Sequence, residues 1–339
     1  MHVDGSIVFL FTCLGIVPLS ALIGDSTEQI ALYSGPKIGG LVNATMGNVP
    51  ELLIGIFAVK AGLYSLVLAS LAGSIMGNTM LVLGFSVLLG GMKYKFQSFN
   101  MSIARSNLTM LAFAGIGIIL PFVFKITLIE NGKPIEHPIT MLSFFIAILM
   151  LIVYLLGLVF SLITHRNFFI ENTELEEGEG QGEKEKPSMS LLSAVLLLTG
   201  ATVFVAIESE ILVATVEDAI AKFHLSETFV GIIVIPILGN VAEHASAMMM
   251  AVKNKIDLSI EIAVGSSMQI ALFVAPVLVV LSFILGNPIA YVYNAFEIAA
   301  LVSSIVLAIY IFISGKTNWM EGLLLIISYV TLGVAFFYI

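Results

Sequence analysis

The pentapeptide Gly47-Asn48-Val49-Pro50-Glu51 returns 192 positions later as Gly239-Asn240-Val241-Ala242-Glu243, and each copy sets one carboxylate inside a long apolar stretch. An ionisable side chain at membrane depth is costly without a partner or a task, so each marks a functional site. The same offset carries Gly39, Leu66, Gly73, Ser74 and Met76 onto Gly231, Leu258, Gly265, Ser266 and Met268. Apolar segments match by chance at Leu and Val, but not at Gly, Asn, Ser and Glu in register. The chain is therefore an internal duplication whose two carboxylates occupy equivalent places.

Of 339 residues 59% are hydrophobic and 11% charged, with a mean hydropathy of +1.07. Soluble domains carry roughly a quarter charged residues. The chain reads as an all-α integral membrane protein in contact with lipid and with no nucleic-acid partner. Apolar runs near 6–24, 38–60, 63–90, 106–124, 139–164, 189–213, 229–252, 258–285, 294–314 and 319–338 make ten spans. About 20 residues of helix cross a bilayer. Five spans precede the charged stretch 165–188 and five follow. An odd number per copy forces the second to enter from the opposite side, which predicts two inverted five-helix repeats, 1–164 and 189–339.

Lys60, Lys125, Lys133 and Lys222 fall on the side of the termini; the other ten Lys and Arg fall opposite. Cytoplasmic loops carry the excess, so both termini are expected outside and the linker 165–188 inside. Seven glutamates at 171–185 supply much of the net charge of −9. That stretch reads as a solvated linker, with a weak calcium sensor as the alternative. Cys13 stands alone, so no intrachain disulfide forms. Residues 6–23 are taken as a retained span, since Met1-His2-Val3-Asp4 has no Lys or Arg.

Gly47-Asn48 and Gly239-Asn240 are helix breakers, with Pro50 after one and Pro236 before the other. Each span is expected to break and restart there, freeing backbone carbonyls beside the Asn48 and Asn240 side chains and the Glu51 and Glu243 carboxylates. An oxygen set without thiolate suits a hard cation such as Ca²⁺. Two carboxylates neutralise one divalent cation; without it they repel each other in low dielectric and take up protons. The same pair thus carries either a cation or protons. Ser74 and Asn78, with Ser266 and Gln269, form a polar tier in the next spans, open to ligation or to close helix packing. His244 is either a proton relay or a cross-helix hydrogen-bonding group. Glu208, Glu210 and Glu297 are further acids within spans, candidates for a proton or cation path.

At these residues the chain resembles the CAX-type Ca²⁺/H⁺ exchangers of the cation/Ca²⁺ antiporter superfamily. The resemblance rests on the two Gly-Asn-x-x-Glu motifs, on Ser209-Glu210-Ile211-Leu212-Val213 and Leu225-Ser226-Glu227-Thr228-Phe229, on Gly265-Ser266-Ser267-Met268-Gln269, and on Gly315-Lys316-Thr317-Asn318-Trp319-Met320-Glu321-Gly322. It implies a Na⁺/Ca²⁺ exchanger-like fold and a secondary antiporter, with no enzymatic step and no cofactor beyond the transported ions. Glu51 and Glu243 would then bind Ca²⁺ and exchange H⁺, with Asn48, Asn240, Ser74, Ser266 and Gln269 lining the site. Residues 6–33 and 189–222 would be a long sliding pair. Trimers occur in that family, which makes a homo-oligomer an expectation. Many eukaryotic members carry an extra first helix and a long N-terminus; their lack here points to a bacterial-type plasma membrane protein. Three rivals stay open: a Na⁺/Ca²⁺ exchanger of the same fold, a passive cation channel, and an intramembrane hydrolase using Glu243 and His244. One carboxylate per repeat beside neutral Asn and Ser favours protons.

Overall fold

The computed structural model describes residues 4–164 and 187–339, side chains at 35–41, 43, 44, 102 and 103 excepted; the acidic linker lies almost wholly outside the described residues. In chain order the helices are α1 (Gly5–Met46), α2 (Val49–Ala61), α3 (Tyr64–Tyr94), α4 (Met101–Glu130), α5 (Glu136–Thr164), α6 (Leu191–Phe223), α7 (Glu227–Gly239), α8 (Val241–Val252), α9 (Ile256–Ile284), α10 (Ala295–Phe312) and α11 (Trp319–Tyr338). Strands β1 (Phe96–Ser98) and β2 (Lys316–Asn318) pair antiparallel, with Gln97 opposite Thr317. Helix dominates because hydrocarbon offers no partner to a free N–H or C=O. Hydroxyls within the spans obey the same constraint: Thr12, Thr27 and Ser143 each donate to the carbonyl four residues back, at 2.6, 2.6 and 2.7 Å.

Among the described residues eight helices are long and apolar enough to cross a membrane, and α7 with α8 makes a ninth, bent by 63°. The expected second span, 38–60, is not a helix of its own. Helix α1 continues to Met46, and the 13-residue α2 follows the break at Gly47-Asn48. The polar interval Asp25-Ser26-Thr27-Glu28 does not end α1, because Ser26 and Thr27 are buried and Thr27 bonds back to its own helix.

Helix α1 lies antiparallel to α6. Asp4 pairs with Lys222 at one end, and at the other the Tyr33 hydroxyl donates to the Met189 carbonyl at 2.8 Å. By Leu66, whose N–H donates to Glu227 at 3.0 Å, the chain has returned to the first end. The return passage uses the last part of α1 together with α2. A straight helix of 42 residues would run ~63 Å, so α1 must bend after Tyr33. Gly35-Pro36 and Gly39-Gly40 lie in that stretch and permit it. The ten spans expected from the sequence thus compare with eight or nine among the described residues, the difference lying at 38–60, which α1 and α2 share.

Loop contacts sort into two faces. On the terminal face, the Ser226 hydroxyl donates to the Phe336 carbonyl at 3.3 Å and the Tyr291 N–H to the Ser143 hydroxyl at 2.9 Å. On the ribbon face, β1 and β2 lie beside the turn after α8, and the Asn100 N–H donates to Asp257 at 2.5 Å. In α3 89% of the most apolar stretch is buried, against 22% in α5, α6 and α11, so α3 is the axle and the others lie at the periphery. Helix α9 crosses it where the Ser267 hydroxyl comes 3.4 Å from the Ile75 carbonyl. Ile75 and Ser267 are themselves 192 apart, which puts the crossing on the pseudo-two-fold axis. Both helices widen to a π-turn just beyond, at Gly77–Val82 and Ile270–Val274, a distortion common at functional sites.

Candidate functional site

The two breaks have the same backbone: Asn48 has φ −99° and ψ 18°, and Asn240 has φ −100° and ψ 12°. Helix α2 restarts after the first with Pro50 in its opening turn, where a missing N–H costs nothing. Before the second, the Pro236 carbonyl accepts both the backbone N–H of Asn240, at 3.2 Å, and its Nδ2, at 3.0 Å. Each restart places its acid, Glu51 or Glu243, in a helix's first turn. The positive end of the helix dipole favours negative charge there.

The breaks bring the two motifs together. Glu51 is buried and Glu243 half-buried, and the second motif meets Glu51 at Gly239, four residues before Glu243. Gly239 closes the first half-site: a Cβ at that position would come 2.5 Å from Glu51 Oε1. The glycine of one motif is thus the wall against which the carboxylate of the other rests. Its counterpart, Gly47, is half-buried at the first break.

A polar tier from α3 and α9 surrounds the pair. Asn48 Nδ2 donates to Gln269 Oε1 at 2.7 Å, and the Ser266 hydroxyl donates to Asn48 Oδ1 at 3.3 Å. Asn78 Nδ2 donates to the Ser266 hydroxyl at 3.0 Å. In the other half Asn240 Nδ2 donates to the Ser74 hydroxyl at 3.4 Å. Asn48 with Ser266 and Asn240 with Ser74 are equivalent residue pairs of the duplication, with the hydrogen bond reversed: the serine donates in the first and accepts in the second. Gln269 and Asn78 break the symmetry, since Gly77 and Ile270 hold the corresponding places.

Four buried oxygens of the motifs have no hydrogen-bond partner: Glu51 Oε1, Glu51 Oε2, Asn240 Oδ1 and Glu243 Oε2. Leaving such atoms unpaired costs about 1–3 kcal/mol each, more when charged. The set is all oxygen and carries two carboxylates, the chemistry a hard divalent cation takes. Among the described residues no three of His, Cys, Asp and Glu gather as a metal site, so a cation here would rest on two carboxylates and neutral oxygens.

The remaining expected residues are dispersed. His244 is buried in the same turn of α8 as Glu243. Glu208 lies in the α1–α6 contact, its carboxyl carbon 3.4 Å from where a Cβ on Gly15 would sit, and Glu210 is exposed. Glu297 is buried but engaged: it accepts the Asn294 N–H at 2.8 Å while Asn294 accepts its own N–H at 2.8 Å, a capping box that starts α10. Sequence reading passed over that Asn-x-x-Glu signature, and over Gln97, a buried carboxamide on β1 that bonds to the end of α8.

Eight or nine apolar spans among the described residues, around paired carboxylates at two broken helices, define a protein that carries a cation across a membrane. The chain belongs to the sodium/calcium exchanger protein family, whose profile matches residues 5–163 and 193–338. It is 43% identical over 346 residues to a Ca²⁺/H⁺ antiporter of Aphanothece halophytica, covering 100% of this chain and 92% of that one. It is likewise 43% identical over 338 residues to the Ca²⁺/H⁺ antiporter ChaA of Bacillus subtilis (strain 168), covering 99% and 93%. The structure of native YfkE superposes with a TM-score of 0.85 at 38% identity, over 100% of this chain and 94% of that one. The H⁺/Ca²⁺ exchanger CAX, at 15% identity and a TM-score of 0.75 over 99% and 86%, shares the fold.

Proposed function

We propose that this protein is a secondary antiporter that exports cytoplasmic Ca²⁺ in exchange for protons, and that Glu51 and Glu243 bind either Ca²⁺ or H⁺. The observation that carries the site is the set of four unpaired motif oxygens, closed by Gly239 against Glu51. Two carboxylates so close in low dielectric need their charge cancelled, by one divalent cation or by protons. Whichever occupies the site excludes the other, and that exclusion couples the two flows. Asn240 is placed to ligate through Oδ1, while Asn48 is oriented by Gln269 and Ser266. Asn78 and Ser74 hold that frame, and Gly47 with Gly239 supplies the breaks.

Alternating access falls to α1 and α6, which are tied at both ends. Besides Asp4 with Lys222 and Tyr33 with Met189, the Ser188 N–H donates to Gln29 at 2.8 Å. A pair strapped in this way slides as one body past the motif helices. The two five-helix halves, 1–164 and 189–339, are read as the inverted repeats, with 165–188 as a cytoplasmic linker. The ribbon face carries Lys93, Lys95, Lys253, Lys255 and Lys316, against Lys60, Lys125, Lys133 and Lys222 on the terminal face. With the Lys and Arg of the linker, that bias orients the termini outward in a bacterial-type plasma membrane.

Purified protein in lipid vesicles tests the reading. A pH gradient with no sodium present is expected to drive Ca²⁺ uptake. Uptake that needs sodium instead, or that proceeds without any counter-ion gradient, rejects proton antiport.

A further inference from the structure

The end of α8 is held in a way that the equivalent end of α2 is not. The last carbonyls of a helix have no partner within it. In α8 the Met249 and Met250 carbonyls accept from the N–H groups of Lys253 and Lys255, at 3.1 and 2.9 Å. The Ala251 carbonyl likewise accepts the Asn254 N–H at 3.1 Å, and on top of this closure Ala251 and Val252 receive side chains from the β1 region. The Ala251 carbonyl accepts Gln97 Nε2 at 2.9 Å, and the Val252 carbonyl accepts Lys93 Nζ at 2.9 Å and the Tyr94 hydroxyl at 3.0 Å. Gln97 also donates to Asn254 Oδ1 at 3.0 Å, gripping the residue whose left-handed backbone, φ 62°, ends the helix. Gly90 lies directly beneath the Gln97 carboxamide, where a Cβ would collide with its oxygen.

Helix α2 ends on Gly62, left-handed at φ 78°, with Gly62 and Leu63 N–H groups bonding back to Val59 and Ala58 at 3.1 and 2.9 Å. Among the described residues no side chain of another helix donates a hydrogen bond to the carbonyls of that end, although Ala58 and Val59 are packed in the core. The sequence gives the reason: 192 positions after Lys93, Tyr94 and Gln97 stand Leu285, Gly286 and Ile289, which have no side-chain donor. In place of Gly90 stands Ser282, whose hydroxyl accepts the Ile289 N–H at 2.9 Å and folds that loop on itself. The same loop grips a motif helix in one half and ignores it in the other.

We infer that Gln97 is a positioning residue for the second half-site, holding α8, and through it Glu243, at a fixed depth beside α3. The inference rests on the reading of Glu243 as an ion ligand. Ala251 is eight residues beyond Glu243, ~12 Å along the axis, so a 12-residue helix transmits displacement at one end to the other. Gln97 is 2% exposed and hydrogen-bonds to neither motif, so its effect on transport runs through the helix ends it joins, α8 above all.

The test is Ca²⁺ transport by the full chain in vesicles, with KM and maximal rate measured per folded molecule. Gln97→Leu keeps the volume and removes both donor bonds; KM is expected to rise about tenfold with maximal rate nearly unchanged, the lower end of the scale for two lost hydrogen bonds. Lys93→Met, at an exposed position where folding is not at stake, shifts KM the same way by roughly twofold. Ile289→Val, at the mirror position, leaves KM alone. Wild-type KM in both Gln97→Leu and Lys93→Met, or a fall in maximal rate at constant KM, overturns the inference. Glu243→Gln run alongside separates the failures. A dead Glu243→Gln beside a normal Gln97→Leu sinks only the role of Gln97, whereas an active Glu243→Gln sinks the site itself.

Discussion

The two half-sites are alike in their chemistry and unlike in their mechanics. Glu51 and Glu243 each open a helix after an Asn of the same φ and ψ, and each Asn meets a Ser on the helix across the axis. Yet Asn48 has both ends of its amide engaged, while Asn240 keeps Oδ1 unpaired. Helix α8 is clamped at its far end by side chains, whereas α2 closes on its own backbone. Symmetry survives in the two carboxylates and their Asn–Ser partners. It is lost at the far ends of the two helices, where only α8 receives side-chain donors from a neighbouring loop.

The largest effect tests the likeness. Glu51→Gln and Glu243→Gln are each expected to cut Ca²⁺ transport by at least ~100-fold, the scale of a lost buried charge partner. Loss in one variant with near-normal flux in the other would break the shared site into two unequal ones. Gly239→Ala comes next: its methyl must displace the Glu51 carboxylate, an overpacking cost of about 1–3 kcal/mol. Apparent Ca²⁺ affinity in an equilibrium binding assay should fall accordingly; unchanged affinity would show that Glu51 has room to move.

The difference between halves has weaker handles. Glu297→Gln acts at the α10 cap and not at the site, so melting should fall by the equivalent of about 1 kcal/mol while KM for Ca²⁺ stays put. A raised KM would restore Glu297 to the ion path. The smallest effect belongs to the strap on α1. Lys222 and then Ser6 hold the exposed Asp4 carboxyl down at about 2. The folded value lies below that of a free Asp, ~3.9, so the contribution is present at neutral pH and is lost as pH falls through that window toward 2. Asp4→Asn should flatten the acid limb of a melting-versus-pH curve slightly; an identical limb would mean that Asp4 and Lys222 do not pair in solution.

Much of this was legible along the chain, for stated reasons. A doubled set of Gly, Asn, Ser and Glu at a constant offset survives any uncertainty about helix ends, and apolar runs of bilayer length announce themselves. The first helix was misjudged because Asp25-Ser26-Thr27-Glu28 looks like a loop, whereas Thr27 bonds back to Ile23 and the helix runs on. Glu297 looked like a buried acid in search of a task; the Asn three residues before it already answered that, through a local pattern overlooked beside the larger one. Gln97 was illegible in principle, since nothing between residues 95 and 100 says which of several loops lies opposite.

What the sequence by itself determined is the membrane, the duplication, and the pair of carboxylates, because these follow from composition and from repetition at a fixed interval. Only the tertiary structure decided which oxygens are left without partners, that Gly239 stands against Glu51, and that one motif helix is clamped while its twin is not. Those depend on distances between residues about 190 positions apart, and they arise only when helices cross closely enough for a carboxamide or a missing Cβ to matter.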